Sequence, residues 1–210
     1  MIRKVTLEEV VRALQRPLAG FQAQAQMSTR PRTAPEEFPQ GRVPREGAVL
    51  ILLYPQDEQL FLPLTRRTER VATHKGQISM PGGAQESGDG SLWHTALREA
   101  EEEVGIVAED VQRLGALSSL YIPPSNFDIH PFVGYLPSRP AFALDANEVA
   151  ELIEMPLAVI LEPWGKGEET RILRGRPTQV PFYHYQQHVI WGATAMVLSE
   201  LEVMLSAVLR

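Results

Sequence analysis

Residues 48–54 form a continuous apolar run, and residues 59–65 a second strand-like one. Pro55-Gln56-Asp57-Glu58 between them has turn chemistry, so the pattern predicts a β-hairpin. Further strands are expected at 116–122 and 129–135, parted by Pro123-Pro124-Ser125-Asn126, and at 150–155, 171–173 and 180–185. Helical spacing occurs in three places. Thr6-Leu7-Glu8-Glu9 reads as a capping box followed by the apolar stripe Val10, Val11, Leu14. Residues 91–104 place Trp93, Ala96, Leu97, Ala100 and Val104 on one face, and residues 193–208 do the same with Val197, Leu201, Met204, Leu205 and Val208. From about Gln22 to Arg45 prolines and polar residues replace any periodicity, which predicts an extended arm or linker.

At 210 residues the chain suits one large domain with an extension. The expected division is an N-terminal helix and proline-rich arm over 1–45 and a main domain over 46–210, the arm being a candidate homodimerisation element. With 44% hydrophobic and 22% charged residues the composition is that of a globular protein, and the net charge of −6 argues against a general nucleic-acid or anionic-membrane partner. No cysteine is present, which removes disulfides, thiolate metal sites and cysteine nucleophiles. The N-terminus lacks signal-peptide features and no apolar run is long enough for a membrane span, so a cytoplasmic protein is expected.

The helix at 91–104 carries the chemistry. Arg98-Glu99-Ala100-Glu101-Glu102-Glu103 puts Glu99, Glu102 and Glu103 on a face next to the buried stripe, where like charges at i,i+3 and i,i+4 repel unless a cation answers them. Oxygen ligands of this kind suit Mg²⁺ or Mn²⁺, which complete their shells with water and phosphate oxygens. Arg98 can reach Glu102 at i,i+4, Gly105 stands where a left-handed cap ends a helix, and Gly82-Gly83 precedes it as a close-approach loop. Upstream, Arg66, Arg67, Arg70 and Lys75 form a basic cluster suited to an anionic substrate.

Residues Gly83 to Ile106 resemble the Nudix box, a glycine followed after five residues by Glu and after seven more by Arg-Glu-aliphatic-x-Glu-Glu-x-Gly-aliphatic. The second half fits fully. In the first half Asp89 replaces Glu and eight residues separate it from Arg98, a variation found in the branch of coenzyme A pyrophosphatases. Pro63-Leu64-Thr65-Arg66-Arg67-Thr68, Gly76 and Met80-Pro81-Gly82-Gly83 keep the spacing of that branch's upstream signature, with Ala72 at a position of arginine and Met80 at one of phenylalanine. Residues 121–126, 131–134 and 190–195 are also similar to it.

The resemblance implies an α/β fold, a Nudix-type α/β/α sandwich with a mixed β-sheet and a loop-helix-loop metal site. It implies a pyrophosphohydrolase in which Glu99, Glu102 and Glu103 bind Mg²⁺ or Mn²⁺, Arg98 orients them, and Arg67, Arg70, Gly82 and Gly83 meet a small nucleoside diphosphate substrate. Glu148 and Glu151 are candidates for the general base. Coenzyme A leads among substrates, with ADP-ribose or NADH as alternatives and a non-catalytic nucleotide-binding module as the rival class. His184 and His188 are spaced i,i+4 within strand-turn-strand sequence, where that spacing does not bring side chains together, so no zinc motif is read there.

Overall fold

In the computed structural model, which describes residues 3–30, 43–68 and 76–209, the expected hairpin lies at the centre. Strands β1 (Arg45–Gln56) and β2 (Gln59–Arg67) are joined by Asp57 and Glu58, both at positive φ. That is the mirror-image turn whose twist suits a hairpin. The two strands pair from Tyr54↔Phe61 to Gln56↔Gln59 and then part. The returning chain fills the gap: β3 (Ile78–Ser79) pairs with β2, and β4 (Gly82–Ala84) pairs with β1. The Leu50 amide donates to the Pro81 carbonyl between them.

Strands β5 (Gln112–Ala116), β6 (Leu120–Ile122), β7 (Phe127–Tyr135) and β8 (Val149–Pro156) complete a mixed sheet. β7 runs parallel to β1, while β5 and β6 are antiparallel to β7 and β8 is antiparallel to β2. A second, antiparallel sheet consists of β9 (Lys166–Leu173), β10 (Arg176–Tyr185) and β11 (His188–Trp191).

Among the described residues four α-helices flank the main sheet, α1 (Leu7–Leu14), α3 (Leu92–Val104), α4 (Ala193–Ser206) and, packed on α4, α2 (Gly20–Gln24). β1 explains the layering. Ala48, Leu50, Leu52 and Tyr54 pack with Ala96, Leu97, Ala100 and Val104 of α3, whereas Ile51 and Leu53 pack with α1 and α4 on the opposite face. A strand buried on both sides needs no polar alternation, hence its uninterrupted apolar sequence. The result is the α/β/α sandwich that the resemblance implies.

Most expected elements stand where the pattern put them, the capping box at Thr6 and Glu9 included. Two expectations are corrected. Residues 116–122 are not one strand: β5 and β6 are separate partners of β7, broken where Ser118 turns to hydrogen-bond a buried glutamate, Glu200 of α4. Nor is the start of the arm extended. Gly20–Gln24 is helical and Ala25–Met27 a 3₁₀ turn, with Ala23, Gln24 and Met27 buried. Only Ala23 and Met27 of its buried residues are apolar, and hydrogen bonds from Gly20 and Gln24 to Glu200 and from Ser199 to Ala23 hold it to α4, so no apolar periodicity marks it. Residues 31–42 of that arm lie outside the described residues. The helix expected over 193–208 ends at Ser206 and is buried from Thr194 to Leu201, because α1 and α2 cover one side of it and the sheet the other. Among the described residues no helix is long and apolar enough to cross a membrane.

Candidate metal centre

α3 is fixed at both ends by local chemistry. The Ser91 side chain accepts from the His94 amide at the N-terminus, and Gly105 at φ 71° closes the C-terminus with its amide on the Glu101 carbonyl. Arg98 is then tied down from several directions. Its Nε donates to Asp89 Oδ1 at 2.7 Å, and its Nη2 to Asp89 Oδ2 at 3.1 Å and to the Ala84 carbonyl at 3.1 Å. It pairs as well with Glu99 Oε1 and Glu102 Oε2, each at 3.0 Å.

Asp89 is buried and also accepts from the Glu86 amide at 2.9 Å and the Thr95 hydroxyl at 2.8 Å. The Arg98 guanidinium, helped by those two donors, holds its carboxyl well below the usual carboxylate range. Asp89 therefore remains charged and anchors Arg98, with Thr95 as a partner that sequence reasoning missed. The signal was present in Thr95 lying one turn after the cap on the buried side, but nothing in the pattern tells a core threonine from an anchor.

β4 and α3 meet at the glycines. A Cβ on Gly83 would lie 2.5 Å from the Glu99 carboxylate, and one on Gly82, at φ 155°, would lie 2.3 Å from the Ala48 carbonyl oxygen. At 82 a side chain would run into the β1 backbone, whereas at 83 it would push the Glu99 carboxylate aside. Glu99 is 16% exposed and Glu103 4%, whereas Glu102 is 60% exposed and turned toward Arg98. The fold thus brings Glu99 and Glu103 beside Gly82-Gly83 and leaves Glu102 at the rim. Burial raises the Glu99 carboxyl, against the pull of Arg98. Burial pushes Glu103 up to about 8, with Arg67 and the Gly82 amide opposing and the charges of Glu99 and Glu148 adding to the rise. Glu103 Oε2 is buried with no hydrogen-bond partner. A buried carboxylate oxygen without a donor is costly, and a cation is what an all-oxygen site of this charge can accept.

Arg67 stands at the end of β2, where the pairing with β8 shifts register. Its Nη1 lies 3.4 Å from Glu103 Oε1 and its Nη2 3.6 Å from Glu148 Oε2. The two expected base candidates are separated by this geometry. Glu148 shares Arg67 with Glu103, whereas Glu151 pairs with Arg66 at 2.8 Å and approaches His188 at 3.6 Å. Arg70, Ala72 and Lys75 lie outside the described residues.

Among the described residues, one group of three metal-type ligands has donor atoms all within 4.8 Å of one another: Glu46, Asp128 and His130. These lie at the paired starts of β1 and β7, and His130 Nε2 is 2.7 Å from Glu46 Oε2. Their side chains are partly exposed, and sequence spacing could not have joined residue 46 to residues 128 and 130.

A family model described as the NUDIX domain matches residues 44–174. The uncharacterized Nudix hydrolase NudL of Photorhabdus laumondii is 41% identical over 161 residues, covering 75% of this chain and 83% of the relative. NudL of Pectobacterium atrosepticum is 38% identical over 164 residues, covering 77% and 83%. Among solved structures, a MutT/nudix family protein of Enterococcus faecalis superposes with a TM-score of 0.49 at 17% identity, covering 98% of this chain and 74% of that one.

Proposed function

The chain belongs to the Nudix family and is a Nudix hydrolase, and from that premise we propose that it hydrolyses the diphosphate linkage of coenzyme A or a related nucleoside diphosphate derivative to two phosphomonoesters, using Mg²⁺ or Mn²⁺. The observation that carries this reading is the buried Glu103 carboxylate, one oxygen of which lacks any donor, beside the partly buried Glu99 at Gly82-Gly83. Glu99, Glu102 and Glu103 would hold the cation. When bound, it neutralises diphosphate oxygens and acidifies a coordinated water.

The protein's own groups supply the rest. Arg98 keeps Glu99 and Glu102 in fixed rotamers, and Asp89 and Thr95 keep Arg98 in place, a positioning shell of the kind on which metal sites depend. Gly82 and Gly83 leave room for phosphate oxygens against the backbone. Glu148 is half-exposed and close to the acidic face, so a water can reach it, and we assign it the part of general base. Coenzyme A is favoured by Leu64-Thr65, Arg67, Gly76 and Pro81-Gly82-Gly83, which keep the spacing of the coenzyme A pyrophosphatase signature. Ala72 and Met80 depart from that signature and favour a second reading with another derivative, such as ADP-ribose or NADH.

Incubation with Mg²⁺ and coenzyme A, its thioesters, ADP-ribose, NADH and dinucleoside polyphosphates tests both readings. We expect coenzyme A to turn over fastest and Glu103→Gln to lose at least about a hundredfold in rate. Absence of turnover with every member of the panel would refute the proposal, and preference for ADP-ribose or NADH would replace coenzyme A by the second reading.

A further inference from the structure

Two arginines reach the acidic face, and they are held differently. Arg98 commits each of its nitrogens at 2.7 to 3.1 Å, to two oxygens of Asp89, to Glu99, to Glu102 and to the Ala84 carbonyl. Arg67 instead straddles Glu103 on α3 and Glu148 before β8 at 3.4 and 3.6 Å. Both distances exceed the ~2.7–2.9 Å of a settled charge-assisted hydrogen bond. Its main chain is fixed, with the Arg67 amide on the Gln77 carbonyl at 3.0 Å and the Gly76 amide on the Arg67 carbonyl at 3.2 Å. The side chain is therefore the part free to move.

We infer that Arg67 is an exchangeable counter-ion, which bridges Glu103 and Glu148 in the metal-free protein, yields Glu103 to a divalent cation and frees Glu148, and then presents its guanidinium to a phosphate oxygen of the substrate. The inference rests on the reading of Glu99 and Glu103 as cation ligands. A guanidinium and a divalent cation on the one Glu103 carboxylate repel each other, and the arginine holds that carboxylate by a long contact of 3.4 Å. The displaced fork remains on the site's edge, anchored at Arg67 Cα, with donors whose planar geometry matches two phosphate oxygens. One side chain would thus serve stability when the site is empty of metal and substrate binding when it is loaded.

Calorimetric titration of Mn²⁺ into the wild-type protein, Arg67→Gln and Arg67→Lys, followed by ADP as a diphosphate probe, tests this. Arg67→Gln is expected to bind Mn²⁺ about tenfold more tightly than wild type, and its Mn²⁺-loaded form to bind ADP about tenfold more weakly. In EDTA the two proteins should bind ADP alike, since the guanidinium is then engaged by the carboxylates. Arg67→Lys keeps the charge without the fork and should match wild type for Mn²⁺ while binding ADP weakly. Unchanged Mn²⁺ affinity in Arg67→Gln, an unchanged ADP affinity, or an equal ADP loss with and without Mn²⁺ overturns the exchange. A wild-type protein that takes up no Mn²⁺ overturns the metal-site reading itself, so the two failures are distinct.

Discussion

At the scale of single residues the site is a set of carboxylates with opposed environments. Asp89 is buried yet supplied with donors and stays charged, whereas Glu103 is buried with one oxygen unpartnered, and burial raises its carboxyl against the pull of Arg67. For Glu103 the folded state raises the carboxyl from 4.5 to about 8. The associated stability is complete below about 4.5 and is lost as pH rises through about 8. Thermal melts in EDTA should therefore show the wild-type Tm falling across that window more steeply than that of Glu103→Gln, and Mg²⁺ should restore it at the alkaline end. Parallel pH profiles for the two proteins would remove Glu103 as the titrating group. The Nudix-box glutamates were visible in the sequence because i,i+3 and i,i+4 spacing alone places them on one helical face. Which of them are buried was not visible, because exposure depends on β4 lying against Glu99 and Glu103 while Glu102 turns to Arg98.

At the scale of elements, the contact between β4 and α3 builds the site. The hairpin strands β1 and β2 part beyond Tyr54↔Phe61, and β4 enters the opening with its backbone against the Glu99 carboxylate. A methyl group at position 83 has no room there. Gly83→Ala should leave the fold intact, displace the Glu99 side chain, and lower turnover by about a hundredfold, the scale that follows from misplacing the cation ligand we propose Glu99 to be. Its far-UV circular dichroism should remain that of the wild type, and retention of full activity would show that the Glu99 rotamer seen against β4 is not the working one. Local signals announced both partners here: the Ser91 cap and Gly105 stop delimit α3, and Pro81-Gly82-Gly83 marks a close-approach turn. Their meeting follows from the divergence of β1 and β2, a property of strand twist and pairing that neither segment carries by itself.

At the scale of the whole molecule, Glu200 of α4 ties together parts distant in the chain. It is fully buried and accepts from the Gly20 amide at 2.8 Å, the Gln24 side chain at 3.0 Å, and the Ser118 amide and hydroxyl at 3.1 and 2.7 Å. Ser199 adds a bond to the Ala23 carbonyl at 2.8 Å. Glu200→Ala leaves several buried donors unpaired and should cost roughly 3 kcal/mol or more in urea unfolding; a loss under about 1 kcal/mol would mean that the clamp contributes little. These contacts dock residues 20–27, which lie outside the matched family domain, onto the α4 face of the sheet. By itself the sequence determined the elements whose stabilising contacts are local, the capping box at Thr6, the hairpin turn, and the helix that bears Glu99, Glu102 and Glu103, since caps, turn residues and helical periodicity act within a few positions. Only the tertiary structure decided that residues 20–27 pack as helix and turn, that 116–122 divides into two strands, and that Arg67 and Glu148 join the acidic face. Those outcomes rest on hydrogen bonds and charge pairs between residues tens of positions apart, and their partners become neighbours only when the sheet is assembled.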